Sequence, residues 1–392
     1  MTASHNRRNE WLPLGLLCVL AIASDLSFAG LTPLVVAYDQ VLHFDLTTAG
    51  FLATAEGAGL TTGSLLAVLS ARLGLPTRRR VVVTLLVLAG AQLLSAFALH
   101  PWALAACRAV SGLAAGLIYS YGMPSIAGSR DPERGFALYF GATFAAGLLG
   151  LIIIPSILAW GSLRGFYLVY ASLLLACIAL IRWYPLPNVR RAESHLATDG
   201  APAIAHSGWR NGSLLSSLFL NFIFNGGLWV LAEHFGLMIP GTDAQSLGAL
   251  LAGTMLFGLA GTALATIVAS RWPPILTIVV GNLGLVAAVL IMSGWHTVVG
   301  LILAMAFLNV SVTFLTPATL AALATKSLRG PQWGNLACQA GYSVGPVVIA
   351  AITARSGINS LTAVSAAAFV GSAGLAWLAL ADSPARQQAV GR

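Results

Sequence analysis

Long apolar segments alternate with short polar ones along the whole chain. Each apolar segment is close to the length of about 20 residues that an α-helix needs to cross a bilayer. The apolar residues run continuously within a segment, which argues against barrel strands, where they alternate with polar residues. The pattern predicts an all-α integral membrane protein with about 12 transmembrane helices, at 13–37, 47–69, 81–99, 102–124, 136–158, 165–183, 213–238, 246–269, 274–293, 297–320, 334–354 and 359–381.

The longest polar stretch, residues 184–211, divides these segments into two sets of six. We therefore predict an N-terminal six-helix bundle over 1–183, a cytoplasmic linker over 184–211 and a C-terminal six-helix bundle over 212–392. The halves repeat weakly, because "GMPSIAGSRDPERGFALYFGATFAAGLLG" aligns with "LTPATLAALATKSLRGPQWGNLACQAGYSVG" so that Pro124 matches Pro317. Internal repeats of this kind are typical of secondary transporters. The two bundles are thus expected to be pseudo-symmetric.

Composition and charge support a membrane protein and orient it. Of the 392 residues, 58% are hydrophobic and 8% are charged, a balance that a soluble domain does not have. With a cytoplasmic N-terminus, all of the 20 Lys and Arg residues except Arg108, Arg164 and Arg355 fall on the cytoplasmic side, as the positive-inside rule requires. The sequence predicts a multi-pass protein of the bacterial inner membrane with both termini in the cytoplasm. Its net charge of +8 then indicates contact with anionic lipids and not with nucleic acid.

Motifs for enzymatic or ATP-driven chemistry are missing from the sequence. A phosphate-binding G-x-x-x-x-G-K-[ST] loop is excluded, because Lys326 is the sole lysine and lacks the preceding glycines. The sequence has neither metal-ligand spacing nor a G-x-S-x-G nucleophile, and the 4 cysteines fall inside predicted helices without C-x-x-C spacing. We therefore expect no enzyme, no cofactor and no metal site.

Three ionisable residues lie well inside predicted helices: Asp25, Glu56 and Arg108. Each costs about 2.5–3.5 kcal/mol at the centre of a membrane helix, so each is expected to face a partner, water or the bundle interior. An arginine favours the charged form of a nearby carboxylate, whereas a second carboxylate favours protonation. Asp25, and with it Glu56, is the predicted proton carrier, and Arg108 is predicted to tune them or to bind an anionic substrate. A buried ion pair that only fixes helix packing is the alternative.

Helical spacing adds uncharged polar residues to this candidate site. Tyr119 shares a face with Arg108, and Gly112 and Gly116 form a G-x-x-x-G pair that permits close helix contact. The segment "LNFIFNGGLWVLAEHF" places two asparagines and a tryptophan on one face, and its Gly-Gly pair predicts a weakened or broken helix. The predicted substrate-binding residues are Asp25, Arg108, Tyr119, Asn221, Asn225, Trp229, Asn309, Gln339 and Tyr342. Hydrogen bonds that serve only packing remain the alternative for the uncharged ones.

Two motifs in the first half resemble those of the major facilitator superfamily. Arg108, Gly112 and Gly116 are similar to its fourth-helix R-x-x-x-G-x-x-x-G motif, which is associated with proton coupling. The loop "LSARLGLPTRRR" resembles a degenerate form of its G-x-x-x-D-R-x-G-R-R gating motif, in which Ala67 and Ala71 replace the first glycine and the aspartate. The gating residues that the resemblance implies are Arg72, Gly74, Arg78 and Arg79.

A third motif points to a subgroup of that superfamily. Asp25 and Pro33 are similar to the first-helix acidic motif of drug/proton antiporters, although the Gly-Pro element usual in the fifth helix of antiporters is missing here. The resemblance implies a proton-coupled secondary transporter of a small organic molecule that works by alternating access, with export slightly favoured. Its partners would be substrate, protons and membrane lipids, and it would be a monomer.

Two other functions remain open at this point. A proton-linked uptake symporter or a uniporter for organic acids predicts that Arg108 binds the substrate carboxylate. A transport-inactive receptor or scaffold predicts that the intramembrane charges serve packing alone.

Overall fold

The computed structural model describes residues 2–29, 31–70, 77–185, 207–237, 239–240, 242, 244–269, 271–325 and 327–381. Within these ranges the chain is helical and contains no β-strand. The helices are α1 (Thr2–Ala29), α2 (Leu31–Leu42), α3 (Leu46–Ser70), α4 (Arg78–Ser95), α5 (Pro101–Ala127), α6 (Pro132–Leu180), a short 3-10 turn (Ile181–Trp183), α7 (Ser207–Leu237), α8 (Ala244–Val268), α9 (Pro274–Gly294), α10 (Val298–Ala324) and α11 (Gly330–Leu380).

The predicted transmembrane segments fall on these helices, and their ends differ most at the start of α1, which begins at Thr2 and not at residue 13. The first segment is shared by α1 and α2, while α6 contains the fifth and sixth segments and α11 the last two. Ser162, at φ 58° and ψ −176°, separates the two parts of α6. α11 contains two stretches that are each long and apolar enough to cross a bilayer, Gly330–Arg355 and Ser360–Leu380.

The membrane-spanning character of the chain is confirmed in the described part of the structure. Eight helical stretches there are long and apolar enough to cross a membrane, when the whole of Pro132–Trp183 is taken as one of them. The prediction of an all-α membrane protein is therefore correct. Its physical basis is that a helix satisfies all its backbone hydrogen bonds internally, as a lipid environment demands.

The chain forms two compact units. The first consists of Met1–Ser129 with Leu138–Asn188, and the second of Arg130–Ala137 with Val189–Arg392. The start of α6 therefore belongs to the second unit, where the Arg134 Nε–H donates to the Thr266 carbonyl over 3.2 Å. The linker predicted at 184–211 stays a prediction, because 186–206 lie outside the described residues.

Close contact between α3 and α5 dominates the first unit. Gly59 and Gly63 of α3 lie directly against backbone atoms of α5, and Gly112 and Gly116 of α5 lie against backbone atoms of α3. A Cβ atom at any of these four positions would overlap the facing helix. The reciprocal glycines therefore let the two backbones touch, which brings side chains on α3 within reach of those on α5.

In the second unit α7 packs against α11 and remains a single helix. Gly226 lies against the backbone and ring of Tyr342, and Gly227 lies against Ile349 and the Gly345 carbonyl. The expectation that this Gly-Gly pair weakens or breaks the helix is wrong, since Ser207–Leu237 is continuous. The two glycines instead provide the space that a close helix contact requires.

Candidate functional site

Arg108 lies at the centre of the polar residues in the first unit. Its side chain is completely buried, with 0% of its surface exposed. Its Nη1 lies 3.5 Å from Oε1 of Glu56, whose side chain is 2% exposed. The contact between α3 and α5 positions this pair, because the Glu56 carbonyl is among the backbone atoms that face Gly112. The structure thus brings together two of the three predicted intramembrane charges.

Neutral side chains of α4 bind the same guanidinium. Arg108 Nη2 donates to Gln92 Oε1 at 2.5 Å and to Ser95 Oγ at 2.8 Å. Gln92 in turn donates from Nε2 to Ser111 Oγ at 2.7 Å. Arg108 therefore links α3, α4 and α5.

Aromatic residues of α2 and α6 also surround the guanidinium. The Arg108 guanidinium lies over the ring of Tyr167, 4.8 Å from its centroid, within the range of a cation–π interaction. The Tyr167 hydroxyl is 2.8 Å from that of Tyr38 on α2. One helical turn further along α6, the Tyr170 hydroxyl donates to the Ala23 carbonyl at 2.8 Å. The first helices and α6 are therefore connected to the ion pair through tyrosines.

Asp25 occupies a different position from that of Glu56. It lies on α1, is half-buried, and is close enough to Glu56 for the two carboxylates to repel each other when both are charged. Among the described residues, Arg108 forms an ion pair with Glu56 and not with Asp25. Arg108 was predicted to tune Asp25 as well as Glu56, and in this structure its ion-pair partner is Glu56.

The guanidinium keeps unused hydrogen-bonding capacity. Nε and Nη1 of Arg108 donate no hydrogen bond to any described residue, although both are buried. A buried charge with open donors attracts an acceptor, so this site is suited to respond to the protonation of a nearby carboxylate or to hold an anionic group.

Tyr119 and Asn309 contribute to packing in this structure. The Tyr119 ring contacts the Tyr139 ring edge-to-face, with centroids 5.0 Å apart. Asn309 donates from Nδ2 to the Thr254 carbonyl at 3.1 Å, which ties α10 to α8. A role in substrate binding stays a prediction for both.

The predicted residues on α7 include a buried amide without partners. Asn221 is 0% exposed, and neither Nδ2 nor Oδ1 forms a hydrogen bond with a described residue. Asn225, one turn later, is also buried, and its Nδ2 makes no hydrogen bond within the described ranges. Trp229 packs against the apolar core of the second unit. The amides carry unsatisfied polarity into that core, which is unusual for buried groups.

The two predicted residues on α11 are only partly buried. Gln339 and Tyr342 both form interactions in this structure. The ring of Tyr342 lies beside Gly226 of α7.

The predicted gating residues are only partly within the described structure. Arg72 and Gly74 lie outside the described residues. Arg78 and Arg79 are exposed at the start of α4, and Arg78 Nε donates to the Tyr184 carbonyl at 3.4 Å. Arg78 thus connects the start of α4 to the segment after α6.

Several side chains around Arg108 were missed by sequence reasoning, namely Gln92, Ser95, Tyr38 and Tyr167. A charge inside an apolar segment is conspicuous in a sequence, and these residues are neutral. One signal was available: Gln92 and Ser95 are three residues apart, so they share a face of an otherwise apolar helix.

Apolar helices of membrane length around a buried, hydrogen-bonded ion pair make this a membrane protein with a polar site inside its helices. The profile of the Major Facilitator Superfamily matches residues 17–334, which is most of the chain. The chain belongs to this family. It is therefore a multi-pass membrane transporter and not an enzyme.

Solved structures share the fold of the chain at low sequence identity. The human organic anion transporter MFSD10 (TETRAN) is 15% identical with a TM-score of 0.76, and the match covers 94% of this chain and 99% of that one. The fucose:proton symporter FucP of E. coli is 16% identical with a TM-score of 0.70, covering 95% and 99%. A structure of FucP in the outward conformation gives the same values. No curated protein sequence matches the chain.

Proposed function

We propose that this protein is a proton-coupled secondary active transporter that moves a small organic molecule by alternating access. The buried pair of Arg108 and Glu56 is the observation that carries the proposal. In a transporter of the bacterial inner membrane with cytoplasmic termini, this pair would be the element that senses the proton gradient. The protein would work as a monomer.

The physical argument starts from the cost of buried charge. An ion pair without water is tolerated because each charge offsets the other, and removing one charge leaves the partner uncompensated. Protonation of Glu56 removes its attraction to Arg108, so it changes the relative free energy of conformations in which the two side chains lie together or apart. A ligand that binds one conformation better shifts the equilibrium, and here the ligand is the proton.

Asp25 supplies a second carboxylate to the same site. Asp25 and Glu56 repel each other when both are ionised, so the two carboxylates together are suited to hold one proton that they can release. We propose that Asp25 and Glu56 are the proton carriers. Arg108 is then the fixed positive charge, and protonation of the carboxylates changes their attraction to it. The proton symporter FucP shares this fold, which is compatible with proton coupling.

Export is the direction that we propose, with uptake as the alternative. The similarity of Asp25 and Pro33 to the first-helix motif of drug/proton antiporters supports it. The substrate-binding residues are those predicted from the sequence, with Arg108 among them.

A second candidate function is a carrier of organic acids. The open Nε and Nη1 donors of Arg108 favour it, because a carboxylate is the natural acceptor for two guanidinium N–H groups. MFSD10, which shares the fold, is an organic anion transporter. This candidate predicts that an organic anion competes with Glu56 for Arg108.

Flux measurements in proteoliposomes test the proposal. Purified protein is first screened by thermal shift with a lipophilic cationic dye, fucose and succinate, because a bound ligand stabilises the native state. Flux of the stabilising probe is then measured with a pH gradient and after the gradient is collapsed with an ionophore, for the wild type and for Glu56→Gln, normalised to folded protein. The matched control is Asp39→Asn, which removes an exposed carboxylate on α2.

The expected result is gradient-driven flux in the wild type and Asp39→Asn and its loss in Glu56→Gln, with exchange of the probe preserved. Equal flux with and without a gradient would leave a uniporter. Binding without flux of any probe would favour a receptor or scaffold. Selective binding of succinate that is lost in Arg108→Gln would favour the organic-acid carrier.

A further inference from the structure

Gln92 is the closest partner of the buried guanidinium. Its Oε1 is 2.5 Å from Arg108 Nη2, whereas the carboxylate oxygen of Glu56 is 3.5 Å from Nη1. The side chain of Gln92 is 0% exposed, so water does not compete for this hydrogen bond. The arginine is thus held more closely by a neutral amide than by its counter-ion.

The orientation of this amide is determined by a third residue. Gln92 Nε2 donates to Ser111 Oγ at 2.7 Å, one turn after Arg108 on the same helix. An amide has donors on its nitrogen and acceptors on its oxygen, so the bond to Ser111 directs Oε1 towards Arg108. Ser95 adds a second neutral acceptor at 2.8 Å from Nη2. These contacts bind Nη2 of the guanidinium to α4, whereas Nη1 is the atom that lies near Glu56.

We propose that Gln92 is a positioning residue for the Arg108–Glu56 pair. It keeps the side chain of Arg108 bound to α4 whether Glu56 is charged or neutral. Proton uptake therefore breaks the ion pair without releasing the arginine from α4. Gln92 thereby determines how strongly Arg108 opposes protonation of Glu56. This inference rests on the proposed function for its biological meaning, but the protonation of Glu56 can be measured without transport.

Other titratable groups face this pair and are the same in all variants below. Asp25 on α1 and Tyr38 on α2 face Glu56, and Tyr167 and Tyr170 on α6 face Arg108. None of them contacts Gln92 through a hydrogen bond that the structure records. A change that follows substitution of Gln92 alone is therefore transmitted by Arg108.

Infrared difference spectroscopy of the purified full chain provides the test. The carboxyl band of Glu56 is identified by its loss in Glu56→Gln and is titrated from about pH 4 to 9. Gln92→Leu removes the neutral acceptor, so Arg108 interacts more strongly with the charged form of Glu56. The protonation midpoint of Glu56 should then fall by about one pH unit, as expected for loss of one hydrogen bond to a charged group. Gln92→Glu introduces a carboxylate that competes for Arg108, so the midpoint of Glu56 rises.

A milder variant and a control complete the experiment. Ser111→Ala keeps Gln92 but removes the group that orients it, so a smaller fall of the midpoint is expected, and folded yield is checked by size-exclusion chromatography. Ser217→Ala removes one member of a buried hydrogen-bonded serine pair in the second unit and is expected to leave the midpoint unchanged.

Opposite shifts in Gln92→Leu and Gln92→Glu support the inference, because a merely structural role would not move the midpoint in two directions. Equal midpoints in all folded variants, or no titration of Glu56 in this range, would overturn it. Shifted midpoints without gradient-driven flux in the wild type would uphold the role of Gln92 and reject the proposed function. Gradient-driven flux with equal midpoints would do the reverse.

Discussion

Gly112 holds α3 and α5 close enough for the ion pair to form, and its replacement by alanine tests this directly. A Cβ at Gly112 would lie 2.9 Å from both the Glu56 carbonyl carbon and the Leu60 nitrogen, and closer still to the Glu56 oxygen. These neighbours are backbone atoms of a helix and cannot rotate away. The two helices must therefore separate by about 1 Å to restore ordinary contact distances.

The magnitude follows from this overlap. Overpacking of a close-packed interior costs about 1–3 kcal/mol, which exceeds the gain of about 0.5–1 kcal/mol that alanine has over glycine in a helix. The separation also moves Glu56 away from Arg108, and a contact that is 3.5 Å long now would exceed the range of an ion pair. We expect Gly112→Ala to lower the free energy of unfolding by about 1–2 kcal/mol net and to weaken gradient-driven flux.

The assay compares thermal unfolding in detergent and flux in proteoliposomes for Gly112→Ala and Gly90→Ala. Gly90 is also inside a helix, α4, but a Cβ there meets nothing within 4 Å. Gly90→Ala should unfold at the same or a slightly higher temperature and retain flux. If both variants behave alike, the close contact at Gly112 does not position the ion pair, and the reasoning is refuted.

Four further substitutions address the polar groups inside the helices. Arg108→Gln should destabilise the protein by about 3–5 kcal/mol at neutral pH but less in acid, where Glu56 can take up a proton. Glu56→Gln should lower the free energy of unfolding at every pH, because a guanidinium does not give up its proton. Unfolding midpoints at several pH values check this, and equal pH profiles would contradict it. Asn221→Leu should raise the free energy of unfolding by about 1–3 kcal/mol, since both amide atoms lack partners among the described residues; a lower unfolding midpoint would show that the amide is paired. Asp25→Asn should preserve folded yield and probe exchange but abolish gradient-driven flux; low yield would instead indicate a structural role, and full activity would leave Glu56 as the proton carrier.

The amino-acid sequence alone determines the class of this protein. A run of apolar residues long enough to cross a bilayer has one stable conformation in lipid, a helix, so the predicted segments and the helices agree. The intramembrane charges could also be found from sequence, because each is costly in lipid wherever its neighbours lie. The motif around Arg108 pointed correctly to the family.

Only the tertiary structure decided which of these residues meet. Spacing along a helix tells which side chains share a face, but it does not tell which helix lies opposite. The sequence favoured Asp25 over Glu56 as the proton carrier, whereas the backbone contact at Gly112 places Glu56 beside Arg108. Gln92 carries no charge, so the cost of an intramembrane charge did not single it out, although it is the nearest partner of the arginine. Partner choice depends on how helices pack, and packing is a property of the folded chain.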